Sequence, residues 1–503
     1  MIILTKNMKL KIFALTTFIV GAVSSVSAQY TADALKFSGT ENSVTARFGG
    51  LGGPHTSLGG DLSSLYGNPA GLGMFSSSEF SFTPGYVNSS NKTTYLGQNS
   101  ESSLGNLNIN NLGVVFHSPT YRTGDLKKGL VSINFGIGYQ KNNFFRNEIS
   151  FDGVTNNANG LGNYFAYLGN TDINPDNNQP YPPNQIFDNL VFAAHEGFLI
   201  DYNTDANESF YSSNTRANAN QVVSYDRKGG QSNVDFSLGM NFSNKFYLGF
   251  GLGLASINYR SEELLNEQGL NFVDNVNYNA NFTKSFDTRG SGVNFKIGAI
   301  LKPVKEIRLG LSLETPTYYS IDDDYYEELS LRDPDNRLIT DNNSSPFSYR
   351  LNTPLKLNGG ISFFIGNKGF ISADINYQDF STIKFRSDEN ALNINTNRQI
   401  TSTYQESINV GLGAEFKVTN SVALRAGYRN LGSPYQDIDF KAHRYTGGIG
   451  YRFGSYTLDF ALQHQQNSAL STSFYTFDNP QVTPFANTKT NVTAVSITFG
   501  ARF

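Results

Sequence analysis

Apolar residues at every second position over long stretches restrict this chain more than any other feature. From 131 to 139, Val131, Ile133, Phe135, Ile137 and Tyr139 alternate with Ser132, Asn134, Gly136 and Gly138. The pattern returns at 293–301, 307–314, 408–417, 422–429 and 495–503. Successive side chains of a strand point to opposite faces, so each stretch is a ribbon with one greasy and one polar side. A soluble sheet half packed on a core reads the same way. Length and charge favour lipid instead. The stretches run about 9 to 13 residues, as a tilted membrane strand of about 9–11 requires. Their apolar faces also avoid the Lys and Arg that cost about 2–4 kcal/mol at a bilayer midplane.

The links between stretches differ on the two sides. Short ones fall at Ser243-Asn244, Pro303-Val304-Lys305, Gly366-Asn367-Lys368, Val418-Thr419-Asn420 and Gly454-Ser455. Long ones are expected near 88–110, 141–232, 261–289, 319–354, 381–405, 430–442 and 465–490, the second being the longest and rich in Asn, Tyr and Pro. Tight turns at one end and long loops at the other are how outer-membrane barrels are built. The expectation is an all-β, transmembrane antiparallel barrel of about 14 strands over residues 79–503, closed by a single chain. An even count puts both termini on the short-turn, periplasmic side. No window approaches the 18 apolar residues of a membrane-crossing helix.

Lys6, Lys9 and Lys11 precede an apolar run at 12–23 and the small residues Val26-Ser27-Ala28. Residues 1–28 therefore read as a secretory signal peptide that exports the chain, and the barrel pattern makes the cell outer membrane its expected place. The absence of Cys rules out disulfides, thiolate metal sites and cysteine nucleophiles. A net charge of -4 gives no electrostatic footprint for nucleic acid.

Residues 29–78 change character. They are rich in glycine, with Gly49, Gly50, Gly52 and Gly53 followed by Asp61 and by Asn68-Pro69-Ala70-Gly71-Leu72. Pro69 fixes its own φ and pushes Asn68 out of the helical region, while Asn68 is able to bond local backbone, so the trio makes a rigid turn. The glycines let backbone approach a wall closely. A barrel of about 14 strands lies between the filled 8-stranded and the open 16–18-stranded kinds, and a segment of this size would plug it.

The Asn68–Leu72 stretch, with the preceding glycines and Asp61, resembles the hatch motif of the FadL/OmpP1/TodX family of outer-membrane transporters. Weaker similarity runs through Gly310-Leu311-Ser312 with Thr315-Pro316, Thr353-Pro354-Leu355, Asp374 to Phe380, Arg425-Ala426-Gly427-Tyr428 and the terminal Phe503. The resemblance implies a 14-stranded barrel, a hatch held through Gly49, Gly50, Asp61, Asn68, Pro69 and Ala70, and passive uptake of hydrophobic small molecules with exit sideways through the wall. It departs from the pattern at Gly67, at Pro54-His55 and in the length of the loops.

The other chemistry is sparse. Five histidines, His55, His117, His195, His443 and His464, show no metal-ligand spacing. His117-Ser118 would need side chains on one face to act as a hydrolase, and adjacent strand residues point apart. Asp322-Asp323-Asp324 with Glu327 and Glu328 lacks the spacing of a calcium loop and reads as a solvated loop. Gly249-Phe250-Gly251-Leu252-Gly253 lies in a strand pattern with no helix after it, so it is no nucleotide loop. Charges expected to line the lumen are Lys296, Glu314, Asp374, Glu415, Arg425 and Arg452, joined by Arg308, Arg429, Asp459 and Arg502. No catalytic residue, metal or cofactor is implied. The expected partners are outer-membrane lipid and a hydrophobic ligand. A second reading is an interaction barrel acting with a protein secretion or assembly complex.

Overall fold

A computed structural model describes residues 29–39, 44–53, 55–120, 128–156, 158–205, 208–273 and 275–503; the expected leader, 1–28, lies outside them. Nineteen strand segments form one sheet. They make fourteen staves of a closed antiparallel barrel, because five staves are interrupted and resume. The staves are β1 (Glu79–Tyr95), β2 (Gln98–Pro119), β3 (Leu130–Phe144, resumed at Asn147–Val154), β4 (Asn220–Phe242), β5 (Phe246–Leu270), β6 (Asn277–Leu301) and β7 (Ile307–Glu314, resumed at Tyr318–Arg332). They continue with β8 (Leu338–Asn352, resumed at Lys356–Ile365), β9 (Gly369–Asp379, resumed at Lys384–Arg386), β10 (Glu406–Lys417), β11 (Val422–Leu431), β12 (Ala442–Phe453), β13 (Tyr456–Asn467, resumed at Leu470–Thr472) and β14 (Ala486–Arg502). Closure comes from β1 against β14, Glu79 opposite Arg502 and Tyr95 opposite Ala486. It seals the seam between the first and last staves, the condition for a sheet to sit in lipid.

The outward face carries a belt of exposed apolar side chains, such as Phe246, Phe250 and Leu254 on β5 and Ile408, Val410, Leu412 and Phe416 on β10. Aromatics mark both borders. Tyr451, Phe453, Tyr456 and Phe503 stand at the short-turn rim, and Tyr86, Tyr318, Tyr377 and Tyr445 at the other side. Paired aromatic girdles around an apolar band are the signature of a lipid-facing wall. Among the described residues no helix is long and apolar enough to cross a membrane. The tight turns hold where expected; at Ser243-Asn244 both residues have positive φ, 57° and 55°, the twist that suits a two-residue hairpin.

Three links expected as long loops are not loops. Residues 88–110 are the tips of β1 and β2 joined by Leu96-Gly97, and 261–289 and 319–354 are largely β5–β6 and β7–β8. Beyond the lipid the outward face turns polar while the inward face mixes polar residues with apolar ones such as Ile257, Tyr259 and Phe282, which hides the greasy stripe without ending the pairing. β5 runs on 16 residues past Leu254 to Leu270, about 40 Å at ~3.3 Å per residue and ~40° tilt. The acidic run is part of this tower. Asp322 faces out and accepts from Ser348 Oγ at 2.7 Å, whereas Asp323 faces in and accepts from Thr288 Oγ1 at 2.7 Å. Alternating faces keep the carboxylates from converging on one ion.

Outward positions on β7 turn polar after Tyr318, at Ser320, Asp322 and Asp324, so Asp323 lies past the belt. Burial, and then the charge of Asp33, push its carboxyl up to about 6. A folded value above the unfolded ~3.9 means that stability is greatest below that lower value and declines as pH rises through about 6. The barrel is expected to lose on the order of 2 kcal/mol at this site between pH 4 and pH 7. Thermal unfolding of Asp323→Asn in detergent at both pH values should lack that decline; an unchanged slope would refute the assignment.

Helices fill the upper lumen and cap it. Helix α1 (residues 29–38) puts Tyr30, Ala34 and Phe37 on one face, against Tyr259, Tyr319, Tyr349 and Phe385. The one-turn α2 (Ala46–Gly49) belongs to the glycine-rich segment below. α3 (Leu161–Thr171) and α4 (Asn189–Glu196) cover the tower's mouth over a core that includes Phe165, Val191, Leu265, Phe282 and Phe474. Glu267, fully buried in that lid, accepts from Leu161 N, Tyr278 Oη and Gln221 Nε2. α5 (Asn390–Thr403) closes the side over α1, with Tyr404 Oη donating to Thr31 O at 2.9 Å.

Candidate functional site

The segment 44–78 sits inside the barrel at the level of the belt as three short turns, each started by its own side chain. Thr45 accepts from Phe48 N, Asp61 from Ser63 N and Asn68 from Ala70 N. Ser, Thr, Asp and Asn at N-caps satisfy amides that a short helix leaves open, and Pro69 at the first helical position loses nothing by lacking one. Gly52 and Gly53, at φ of 97° and 116°, swing the chain back across the lumen.

What seats this hatch is glycine in the wall. A Cβ at Gly298 of β6 would land on Asn68 Oδ1, and one at Gly249 of β5 on Ala70 N and Pro69 C. Gly310 of β7 is pressed by Thr56 O, Gly239 of β4 by Gly73 N at 2.5 Å from such a Cβ, and Gly427 of β11 by Leu51 C. On the hatch side, a Cβ at Gly50 would stand 3.1 Å from Gly448 Cα, and one at Gly49 2.7 Å from Gln463 Nε2. Backbone therefore meets backbone over much of the interface.

Polar bonds pin that fit. Asn68 Nδ2 donates to Thr56 O at 2.7 Å and reaches the wall carbonyls of Ala299 and Leu311 at 3.3 and 3.4 Å. His55 Nε2 lies 2.8 Å from Leu51 O, which only accepts, and Nδ1 lies 2.6 Å from Asp374 Oδ2. Thr56 N donates to the other Asp374 oxygen at 2.6 Å. Ala46 N donates to Thr498 Oγ1 at 2.7 Å, and Asn134 Nδ2 to Leu72 O at 2.5 Å. In the sequence His55 reads as an interruption of a motif and as a histidine without metal-ligand spacing, yet it is buried against β9. The wall glycines were legible as inward positions of the alternation; which part of the hatch each receives was not.

The charges divide by partner. Asp374 and Glu415 hold the hatch, the latter through Arg47 at 3.2 Å. Lys296 pairs with Asp235 of β4, both side chains buried; Glu314 pairs with Lys356 at 2.9 Å; Arg425 bridges Glu415 and Asp459 at 2.8 and 2.6 Å. Arg308 lies over the Phe364 ring at 4.0 Å. Arg452 is exposed, at the rim rather than deep in the lumen. His117 turns inward to Asn134 Oδ1 at 2.8 Å while Ser118 is exposed on the other face.

Two features break the enclosure. Chambers of about 220 Å³ and about 190 Å³ flank the hatch above and below, the lower one mainly polar and the upper one mixed. The β2–β3 ladder stops at Asn111 opposite Gln140, although β2 stays paired with β1 up to Gln98. At that break Asn108, Asn110 and Asn111 have buried side-chain atoms without hydrogen-bond partners among the described residues. Leu107 and Ile109 flank it on the outside, 80% and 48% exposed.

A closed barrel with an apolar belt, aromatic girdles and an internal hatch defines an outer-membrane transport protein. This chain belongs to the outer membrane protein transport family OMPP1/FadL/TodX, whose profile matches residues 202–503. No curated protein matches it. Among solved structures it resembles the Pseudomonas putida toluene transporter TodX, at 14% identity over 93% of this chain and 99% of that one, with a TM-score of 0.53. A deltaS2 mutant of the TodX monoaromatic hydrocarbon channel aligns at 15% identity over 92% and 99%, TM-score 0.56. A Pseudomonas aeruginosa FadL homologue aligns at 15% over 92% and 98%, TM-score 0.53. These likenesses carry the fold. None of the three is described as part of a secretion complex.

Proposed function

We propose that this chain passively passes small apolar molecules across the outer membrane and releases them sideways between β2 and β3. The observation that carries this reading is the ladder break at Asn111 and Gln140. Leu107 and Ile109 give its outer lip an apolar surface, so a molecule leaving there moves into lipid and not into water. Burying apolar area is favourable by about 25 cal/mol per Å², enough to drive partition without an energy source. The straight path is a poor one for such a molecule, because the hatch lies glycine to backbone on the wall. Family membership supplies the membrane and the transport role, and solved members described as toluene and monoaromatic hydrocarbon channels fit an apolar cargo.

The rest of the reading follows from that assignment. The short-turn rim faces the periplasm, residues 1–28 are the leader, 29–78 the plug and 79–503 the barrel. Gly49, Gly50, Asp61, Asn68, Pro69 and Ala70 hold the hatch in place. The test is a crosslink across the break. Because the chain has no native cysteine, Asn108→Cys with Asn143→Cys, bridged by a short thiol crosslinker, closes only this gap. Uptake of labelled toluene by cells carrying the bridged barrel is expected to fall at least tenfold relative to the same variant unbridged. Uptake that ignores the bridge would remove the sideways exit.

A further inference from the structure

The two chambers beside the hatch lie on the same side of the barrel. β10 supplies Asn409 to the upper one and Glu415 to the lower; β11 supplies Arg429 above and Arg425 below. The hatch contributes to both in the same way. Val44 and Phe48 face up where Thr45 and Arg47 face down, and Ser63 faces up where Asp61 faces down. What separates them is therefore a thin strip of hatch, chiefly residues 44–53, laid on Gly413, Gly427 and Gly448.

That strip is tied by a few polar bonds and by the buried cluster that Val44, Phe48 and Leu51 make with Leu58 and Phe370. Ala46 N donates to Thr498 Oγ1 at 2.7 Å, Thr446 Oγ1 donates to Gly50 O at 3.1 Å, and Arg47 pairs with Glu415 at 3.2 Å. Water can take over bonds of this kind on the side that faces the polar lower chamber. Gly52 and Gly53, at φ of 97° and 116°, end the strip in backbone that only glycine holds without strain. A small swing of 44–51 inward, off the wall, would join the chambers into one wet path from above the hatch to the short-turn rim. Its charge is uneven. The lower chamber has five cations, Arg47, Lys417, Arg425, Arg452 and Arg502, against four carboxylates. In the upper, the described lining holds Lys356, Arg429 and Arg444 with the carboxylate of Glu314, and Asp374 lies close enough to act on Arg429. Fixed cations along a narrow path raise the local concentration of anions.

We propose that the barrel contains a second, axial route for small anions, gated by hatch residues 44–53 and distinct from the sideways route for apolar molecules. It does not depend on the apolar reading, since it uses the opposite wall and a different exit. The full chain in planar bilayers under a potassium chloride gradient tests it, with chloride and then acetate as the probe ions. Native protein should open rarely and reverse toward the chloride potential. Arg47→Ala, which removes the tie to Glu415, should open at least tenfold more often. Gly427→Val, which pushes the Leu51–Gly52 backbone off the wall and leaves the Arg47–Glu415 pair in place, should do the same. In the Arg47→Ala background, Ala46→Cys with Thr498→Cys should close the path on oxidation and reopen it on reduction. The proposal falls if both opened variants, folded by their heat-modifiable gel shift, conduct no more than native protein. A preference for potassium, or conduction unaffected by the oxidised pair, would also overturn it.

Discussion

Gly298→Val is expected to unseat the hatch and leave the barrel closed. Even the first carbon added at this position would fall on Asn68 Oδ1, and a β-branched side chain adds two more. Neither side gives way easily. Gly298 is in the ladder between β5 and β7, and Asn68 is held by Thr56 O, by Ala70 N and by the wall. Overpacking a tight contact costs about 1–3 kcal/mol. Losing the buried bonds of Asn68 adds about 1–3 kcal/mol for each group left unsatisfied. Together these exceed what a hatch of a few turns is able to absorb. Trypsin reports the outcome, because Arg47 is the one Lys or Arg between 44 and 78 and a seated hatch shields it. Cleavage after Arg47 should rise more than tenfold in Gly298→Val. It should stay at the native rate in Gly359→Val, whose added carbon meets only Ile375 Cγ2 at an ordinary 3.5 Å. Equal cleavage in the two variants would mean that wall glycines do not seat the hatch.

The second large effect belongs to the wall. Lys296 on β6 and Asp235 on β4 face each other across β5, with side chains 2% and 0% exposed. Gly251 and Gly253 of β5 leave the room, since a Cβ at Gly253 would stand 3.0 Å from Asp235 Oδ1. Removing one member of a buried ion pair strands the other, at about 3–5 kcal/mol, whereas replacing both by apolar groups of similar volume is often neutral. Asp235→Leu should therefore lower the unfolding temperature of the detergent-solubilised barrel sharply, and adding Lys296→Met should recover most of the loss. A double variant as unstable as the single one would show that the pair itself, and not an uncompensated charge, supports the wall.

Much of this architecture can be read without coordinates, and the unread parts share a cause. Strict alternation at 131–139 or 408–417 survives because lipid contact penalises any charge on that face, so the wall is written residue by residue. Past the belt that pressure stops. The tips of β1 and β2 at 88–110 and the acidic strand at 322–328 pair as well as the rest yet look like loops. The hatch motif was visible because Asn68-Pro69-Ala70 fixes its turn locally. The partner that latches it was not, because His55 and Asp374 are separated by 319 positions and meet only when β9 is in the wall. The division of the charges into hatch anchors, wall struts and the exposed Arg452 depends on the register of neighbouring staves, which alternation within one strand does not carry.

The sequence by itself determined the barrel, its lipid-facing surface, the side with short turns and the presence of a glycine-rich plug, since each follows from local periodicity or local backbone preference. Tertiary structure alone decided where each wall glycine receives the hatch, which charges pair, that α1 fills the upper lumen and that the β2–β3 ladder fails at Asn111. Those outcomes depend on distances between residues hundreds of positions apart, and only closure of the sheet sets such distances.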